Sequence, residues 1–448
     1  MQWHGASSAL KLARFGFLSG AVMMLPSCGS GALRDNGGAG AAGTGGFIDA
    51  QASSDGSTDD VQPSGSAGVD GSPGVGGSGG EIADAGAKDA TTGEASIDDA
   101  QPMSRYRAIA IATGETHACA LLDNHRVKCW GDNGHGQLGY GDAQMRGNSP
   151  ADMGNALPFV DLGIGRTATK IAAGRYDTCA ILDDGSLKCW GWSGLNGHFP
   201  DDIGDAPNET GDNVQPLSFG GRRVLDVAIG NEVACAAAED ETVWCWRASS
   251  DGPQLQAGLP AKAVKSLTAS GQGVVALYSD GTVSPNLPSS PGGASIFAAS
   301  QTFLALSGAN LAPTCGLSDS TTVVCSAPIG ATLPLNLPSP ATALGMQWAG
   351  YLCVVFSDGS VQCPGEPCSG AYWCDARGHI ATGGGATAIS SGGSRFSCVI
   401  LADENVKCWG GDPSAPPPPW LGAGISFETN NGEITYGEWN AVDLGTRP

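Results

Sequence analysis

Twelve of the chain's 15 cysteines fall into six pairs, each separated by ten positions. They are Cys119/Cys129, Cys179/Cys189, Cys235/Cys245, Cys315/Cys325, Cys353/Cys363 and Cys398/Cys408. Scattered buried thiols or metal ligands have no reason to keep one spacing, whereas an even, regular set points to disulfides and an oxidising compartment. Cys368 and Cys374 lie close enough in sequence to form a seventh bridge, which leaves only Cys28 unmated. Between the members of a pair, apolar runs flank an Asp-Gly turn signal, as in Cys179 to Cys189 with its Asp184-Gly185 turn. A symmetrical hairpin about such a turn sets positions i and i+10 opposite each other. The fourth unit supports this pairing, because its aligned positions are Val275 and Pro285 and both cysteines are lost together.

The pairs sit inside a larger repeat. Ile111 to Gly131 is copied at Ile171 to Gly191, at Ala228 to Trp246 and at Ser390 to Gly410. Fainter copies centre on Ser279-Asp280-Gly281, Ser318-Asp319-Ser320 and Ser357-Asp358-Gly359. Seven units of roughly 49 residues occupy 105–448, and periods of that length mark propellers and related arrays. Phe159-Val160-Asp161-Leu162-Gly163 precedes the second unit, and its copy before the first is missing. Ala441-Val442-Asp443-Leu444-Gly445 supplies that copy at the other end, so the last strand is expected to meet the first unit and cover open sheet edges.

Cys129-Trp130-Gly131, followed by Gly136-Gln137-Leu138-Gly139, resembles the signature of the regulator of chromosome condensation repeat. Trp190-Gly191 and Trp409-Gly410 keep its first half, and units four to six lack it. The resemblance covers 105–448 and implies an all-β, seven-bladed β-propeller of four-stranded blades. The paired cysteines resemble exported bacterial members of the family. The exchange activity of the nuclear members does not travel with the fold. His117 falls where the family usually has histidine and reads as structural.

Upstream, residues 1–27 read as a lipoprotein signal peptide. Lys11 and Arg14 precede a short apolar run, Phe15 to Leu25, far too brief to span a bilayer. Leu25-Pro26-Ser27-Cys28 resembles the bacterial lipobox, in which the cysteine is acylated, so Cys28 is the expected lipid attachment site and sole membrane contact. Residues 28–104 are almost devoid of large apolar side chains and are expected to be a disordered tether. Residues 29–100 hold twelve acids against Arg34 and Lys88, a net of −10, leaving −14 on 101–448 out of −22 in all. Such a domain offers no footprint for phosphate backbones, and no nucleic-acid partner is expected.

Catalytic motifs are missing. No serine occupies a nucleophile elbow, and there is no P-loop. Gly163-Ile164-Gly165 matches a dinucleotide loop only loosely and lies between strands. Cys363, Cys368, Cys374 and His379 are better read as disulfides than as a zinc site. The acidic stretch with Asp201, Asp202, Asp205 and Asp212 lacks calcium-loop spacing. No metal or cofactor is expected. The long connections, 132–158, 192–216, 247–261, 364–382 and 411–425, follow the same strand in each unit and should emerge on one face. Tyr140, Trp192, Phe199, Tyr372, Trp373 and Trp420 are the expected binding residues there, set among carboxylates. The expected protein is a monomeric lipoprotein of the bacterial cell envelope, on the outer membrane or cell surface, that binds an envelope protein or glycan. A carbohydrate-active or lyase-type enzyme, which would need a placed acid/base pair, and an inhibitor of another protein are the competing readings.

Overall fold

The computed structural model describes residues 104–447 except 199, 248–251, 271–272, 289–296, 299, 309–312, 327–332, 348–350, 364–379, 381, 393–395, 411–424, 431–432 and 440. The chain divides into two compact units, Met1–Thr92 and Gly93–Pro448, and every described residue lies in the second.

That second unit is a seven-bladed β-propeller of antiparallel blades. Blade one holds β1 (Ala108–Thr113), β2 (His117–Leu122) and β3 (Val127–Gly131). Blade two holds β4 (Ala168–Ala173), β5 (Asp177–Leu182) and β6 (Leu187–Gly191). Blade three has four strands, β7 (Val224–Ile229), β8 (Ala234–Ala238), β9 (Val243–Trp246) and β10 (Gln254–Leu255). Among the described residues, blade four holds the strands β11 (Val264–Ser270) and β12 (Gly273–Tyr278). Blade five again has four, β13 (Ala305–Ser307), β14 (Cys315–Asp319), β15 (Thr322–Cys325) and β16 (Leu333–Asn336). Blade six holds β17 (Ala341–Met346), β18 (Leu352–Phe356) and β19 (Val361–Gln362). Blade seven holds β20 (Ala386–Gly392), β21 (Phe396–Leu401) and β22 (Val406–Gly410). It is followed by a hairpin the sequence pattern did not announce, β23 (Ile425–Asn430) and β24 (Glu433–Trp439).

The first strands of successive blades pack on one another, and β20 packs on β1, so the ring closes around its innermost strands. The outer strand of most blades is short. Val160 donates to Val127, Leu217 to Leu187 and Ile380 to Val361, each laying a short outer segment against a three-stranded sheet. Val442 does the same for Val406 of blade seven. The chain then runs on to blade one, where Tyr106 donates to the Gly445 carbonyl and Arg447 to the Ser104 carbonyl. The Ala441 to Gly445 copy therefore completes the last blade and also meets the first.

Each hairpin turn is built alike. Asp184 accepts the backbone N–H of Ser186, and Asp240, Asp280, Asp319, Asp358 and Asp403 accept the N–H two residues on. This side-chain mimicry of a turn is what aspartate does well. Outside blade five the next position takes positive φ, +81° at Gly185, and His125, Glu241 and Glu404 accept that conformation in blades one, three and seven. The turns set the register that pairs Cys119 with Cys129, Cys179 with Cys189, Cys235 with Cys245, Cys315 with Cys325 and Cys398 with Cys408. All six ten-residue pairs are bridged, with Cα atoms 4.0–4.1 Å apart.

Buried lysines tie blades together. Lys128 Nζ donates to the Gly154 carbonyl (2.7 Å) and to Leu444 of blade seven (3.0 Å). Lys188 repeats this toward Gly211 (2.8 Å) and Leu162 of blade one (3.1 Å). Burial lowers the Lys128 pKa to about 8.

Candidate functional site

In every blade with three or more strands, the third strand ends at the same side of the disc as the turn between the first two strands. The Asp turns lie on the opposite side. The long loops of blades one and two and the short turns Gly114–Thr116 and Gly174–Tyr176 therefore share one face.

Blade one's long loop is built on the residues of its glycine-rich signature. Asn133 folds it, accepting the Leu138 N–H (2.9 Å) and donating to the Asp142 carbonyl (2.5 Å). The Gln137 carbonyl accepts the Trp190 indole N–H (3.0 Å) and the Thr178 hydroxyl (2.8 Å), both from blade two. Gly139 has φ +75°, and a Cβ there would stand 2.7 Å from the Trp190 ring. The signature is thus an inter-blade joint. In blade two, where Leu195-Asn196-Gly197 replaces it, the Leu195 carbonyl still accepts the Trp246 indole N–H of blade three (2.8 Å).

Above this joint lies a partly exposed polar cluster. His135 Nδ1 is 2.8 Å from Asp202 Oδ2, and the other Asp202 oxygen accepts the Ser193 N–H (2.7 Å). The His135 ring sits 5.0 Å from that of Tyr176, and Arg175 lies 4.8 Å from the far ring centroid. Arg175 Nε donates to Glu115 (2.5 Å), joining the inner turns of blades one and two.

Two buried titratable groups lie at equivalent positions beneath. His117 Nε2 is 2.9 Å from Thr178 Oγ1 of the next blade, and burial lowers its pKa to about 4. Asp177 is fully buried, and the position equivalent to Thr178 in blade three is Ala234, which has no hydroxyl. Neither carboxyl oxygen makes a fully formed hydrogen bond, although the Tyr176 backbone favours the charged form to a lesser degree. Desolvation, then the charge of Asp202, pushes its pKa well above the carboxylate range.

The expected binding residues fare differently. The Tyr140 hydroxyl accepts the Cys129 N–H (2.9 Å) and lies within reach of the Cys129 and Pro158 carbonyls (2.9 and 3.1 Å). Burial raises its pKa, and the ring is a strut supporting the bridged strand. Trp192 is half-buried against the core between blades two and three, its ring over Gly194. Phe199, Tyr372, Trp373 and Trp420 lie outside the described residues, as do Cys28, Cys368 and Cys374. The acidic loop is held by its own carboxylates, Asp202 as above and Glu209 on the Gly204 and Ala206 N–H groups (3.2 and 3.1 Å). No group of three or more ligating side chains among the described residues is arranged for a metal. The sequence reading passed over His135, Arg175, Tyr176 and Glu115. Glu115, Arg175 and Tyr176 lie in three-residue inner turns that open on the same face as the long connections, and His135, inside 132–158, is not aromatic in the way that marked the other loop residues.

The profile of the regulator of chromosome condensation (RCC1) repeat matches residues 108–137 and 168–197, the first two hairpins and the joint between them. The chain carries RCC1 repeats. It is 31% identical to human probable E3 ubiquitin-protein ligase HERC6 over 143 residues, 32% of this chain and 13% of that protein. It is 32% identical to the Arabidopsis thaliana ultraviolet-B receptor UVR8 over 124 residues, 27% of this chain and 24% of the receptor. The RCC1-repeat chain thus spans less than a third of the length of the curated relatives it matches. Among solved structures it is similar to the ectodomain of the Arabidopsis receptor kinase ACR4, at 20% identity and TM-score 0.42 over 70% of this chain and 98% of that one. It is also similar to Prp20p of Saccharomyces cerevisiae, at 17% identity and TM-score 0.36 over 68% and 72% of the two chains.

Proposed function

We propose that the chain is a cell-envelope lipoprotein, acylated at Cys28, whose RCC1-repeat propeller holds a protein or glycan partner on its loop face without altering it chemically. The observation that carries the binding reading is the shared face. Rigid bridged strands send the loops and inner turns of blades one and two to one side, where His135, Tyr176, Arg175 and Asp202 stay partly exposed. Loops on a rigid scaffold are where binding residues concentrate. The apolar run ahead of Cys28 and the acidic segment behind it support the anchored reading.

The test uses the full chain, solubilised from membranes and used to recover partners from envelope extracts. Replacing His135 and Tyr176 together by Ala should weaken retention of a recovered partner at least tenfold. Ile164→Ala, fully exposed on the opposite face, should leave retention unchanged. Retention unaffected by the loop-face variant would reject this face. In the same cells Cys28→Ala should release the protein from membranes, and a variant still membrane-bound after a salt wash would reject the anchor.

A further inference from the structure

Between the outer strand of blade two and the outer half of blade three lies an open groove of about 630 Å3. Its floor and walls include His198, Gln215, Ser218 and Trp244, with Pro216 and Pro253 at its sides. The volume is within the range of small-ligand sites. Although the chain carries 44 acids, no Asp, Glu, Lys or Arg lines this groove among the described residues. Burial lowers the His198 pKa, so its ring is neutral at pH 7. A charged ligand would find no countercharge there.

Trp244 is held as a platform. Its indole N–H donates to Thr242 (2.9 Å), and Phe219 packs edge-on at 6.2 Å. Arg222 lies 5.5 Å from its ring, with the Arg222 charge compensated by Asp240. The Gln215 amide donates to the Asp212 carbonyl (3.2 Å), which leaves its own oxygen as an acceptor. The exposed Ser218 hydroxyl both donates and accepts. Gly252 adds openness, since a Cβ there would meet nothing within 4 Å.

A fixed aromatic face, flanked by uncharged groups of both hydrogen-bonding senses, matches a ligand with an apolar C–H face and a hydroxyl rim. We infer that this groove binds a neutral sugar, with one pyranose ring stacked on Trp244 and its hydroxyls on Gln215 and Ser218. The site uses none of His135, Arg175, Tyr176 and Asp202 and does not depend on the envelope reading.

Calorimetry and saturation-transfer NMR on the full chain would test it with cellobiose, maltose and N,N′-diacetylchitobiose. A disaccharide carrying a uronate and a tetraproline peptide serve as controls. At least one neutral disaccharide should bind saturably, and Gln215→Ala and Trp244→Ala should each weaken it by about tenfold or more. Gln215 is exposed, so its variant guards against a packing defect from losing the indole. The inference is overturned if no neutral disaccharide saturates, if affinity survives both substitutions, or if only the uronate or the proline peptide binds.

Discussion

Blades two and four are copies of one repeat, and they are held together in different ways. In blade two, Ile181, Ala180 and Cys179 pair in strict order with Leu187, Lys188 and Cys189, and the bridge closes between facing cysteines. Blade four begins in the same register, with Leu277 opposite Val283. Val275 and Pro285 stand where the cysteines would be, and beyond the proline the pairing slips, so that Val274 meets Leu287 where Asn286 is expected. Pro285 has no N–H to offer the ladder, and the third strand shrinks to isolated bridges. The contrast shows that the cysteines depend on an unbroken register, and that blade four survives without it by burying Val274 with Tyr278 and Leu287, and Leu277 with Phe297 and Phe303.

The bridges offer the largest test of that contrast. Replacing Cys179 and Cys189 together by Ser should cost about 2.5–3 kcal/mol, read from denaturant unfolding. Six bridges opened at once should cost as much as, or more than, the whole stability of an ordinary domain. Cysteines placed at Val275 and Pro285 should gain little, because the slip has moved their facing positions. Peptide mapping without reductant would show the engineered pair unbridged, and a fully formed, stabilising bridge would contradict the slip.

The pH dependence separates blades one and two, whose equivalent positions hold His117 and Asp177. For His117 the folded pKa, about 4, lies below the ordinary histidine value of 6.5, so the unfolded chain binds the proton first. Its contribution is therefore present above pH 6.5 and is lost as pH falls toward 4, by about 3 kcal/mol at the limit. For Asp177 the folded pKa is raised, so the sign reverses. Stability is fully retained below the ordinary carboxylate range and declines as pH rises toward the folded value. Thermal melts from pH 4 to pH 8 would read both slopes. His117→Gln should flatten the acid limb. Asp177→Ala should flatten the alkaline limb and raise stability at pH 8 by about 1–3 kcal/mol, since it removes an unsatisfied buried group. Limbs unmoved by both variants would show that these two groups do not control the profile.

Cysteine spacing, turn signals and repeat length made the blades legible because each reports a backbone constraint that local sequence must meet. The site was less legible. Tyr140 carried the same aromatic signal as a binding residue, yet its hydroxyl serves the Cys129 backbone. Tyr176 and His135 come together only because two blades stack, across 41 positions of sequence that share no local pattern. Blade four's slip was hidden for a related reason. Pro285 was visible as a lost cysteine, but where the pairing resumes is decided by packing on Leu287.

The smallest effect concerns Ser284, which stands in blade four where Lys188 stands in blade two. Lys188 leaves its own ladder to its backbone and sends Nζ to the carbonyls of Leu162 and Gly211, linking blades one and two. Ser284 has no such reach, and its side chain is used within the blade. Its hydroxyl accepts the Ala276 N–H (2.9 Å), a ladder donor left short of a carbonyl where the third strand deforms. Ala276 is fully buried, so no water can take over. Ser284→Ala should cost about 1 kcal/mol, and hydrogen exchange at the Ala276 amide should speed up more than at Ala180 of blade two. Ser284→Thr keeps the hydroxyl and should restore most of that protection. If Ser284→Ala leaves the Ala276 amide as protected as before, the N–H has a backbone partner after all, and blade four keeps more of the common register than its pairing indicates.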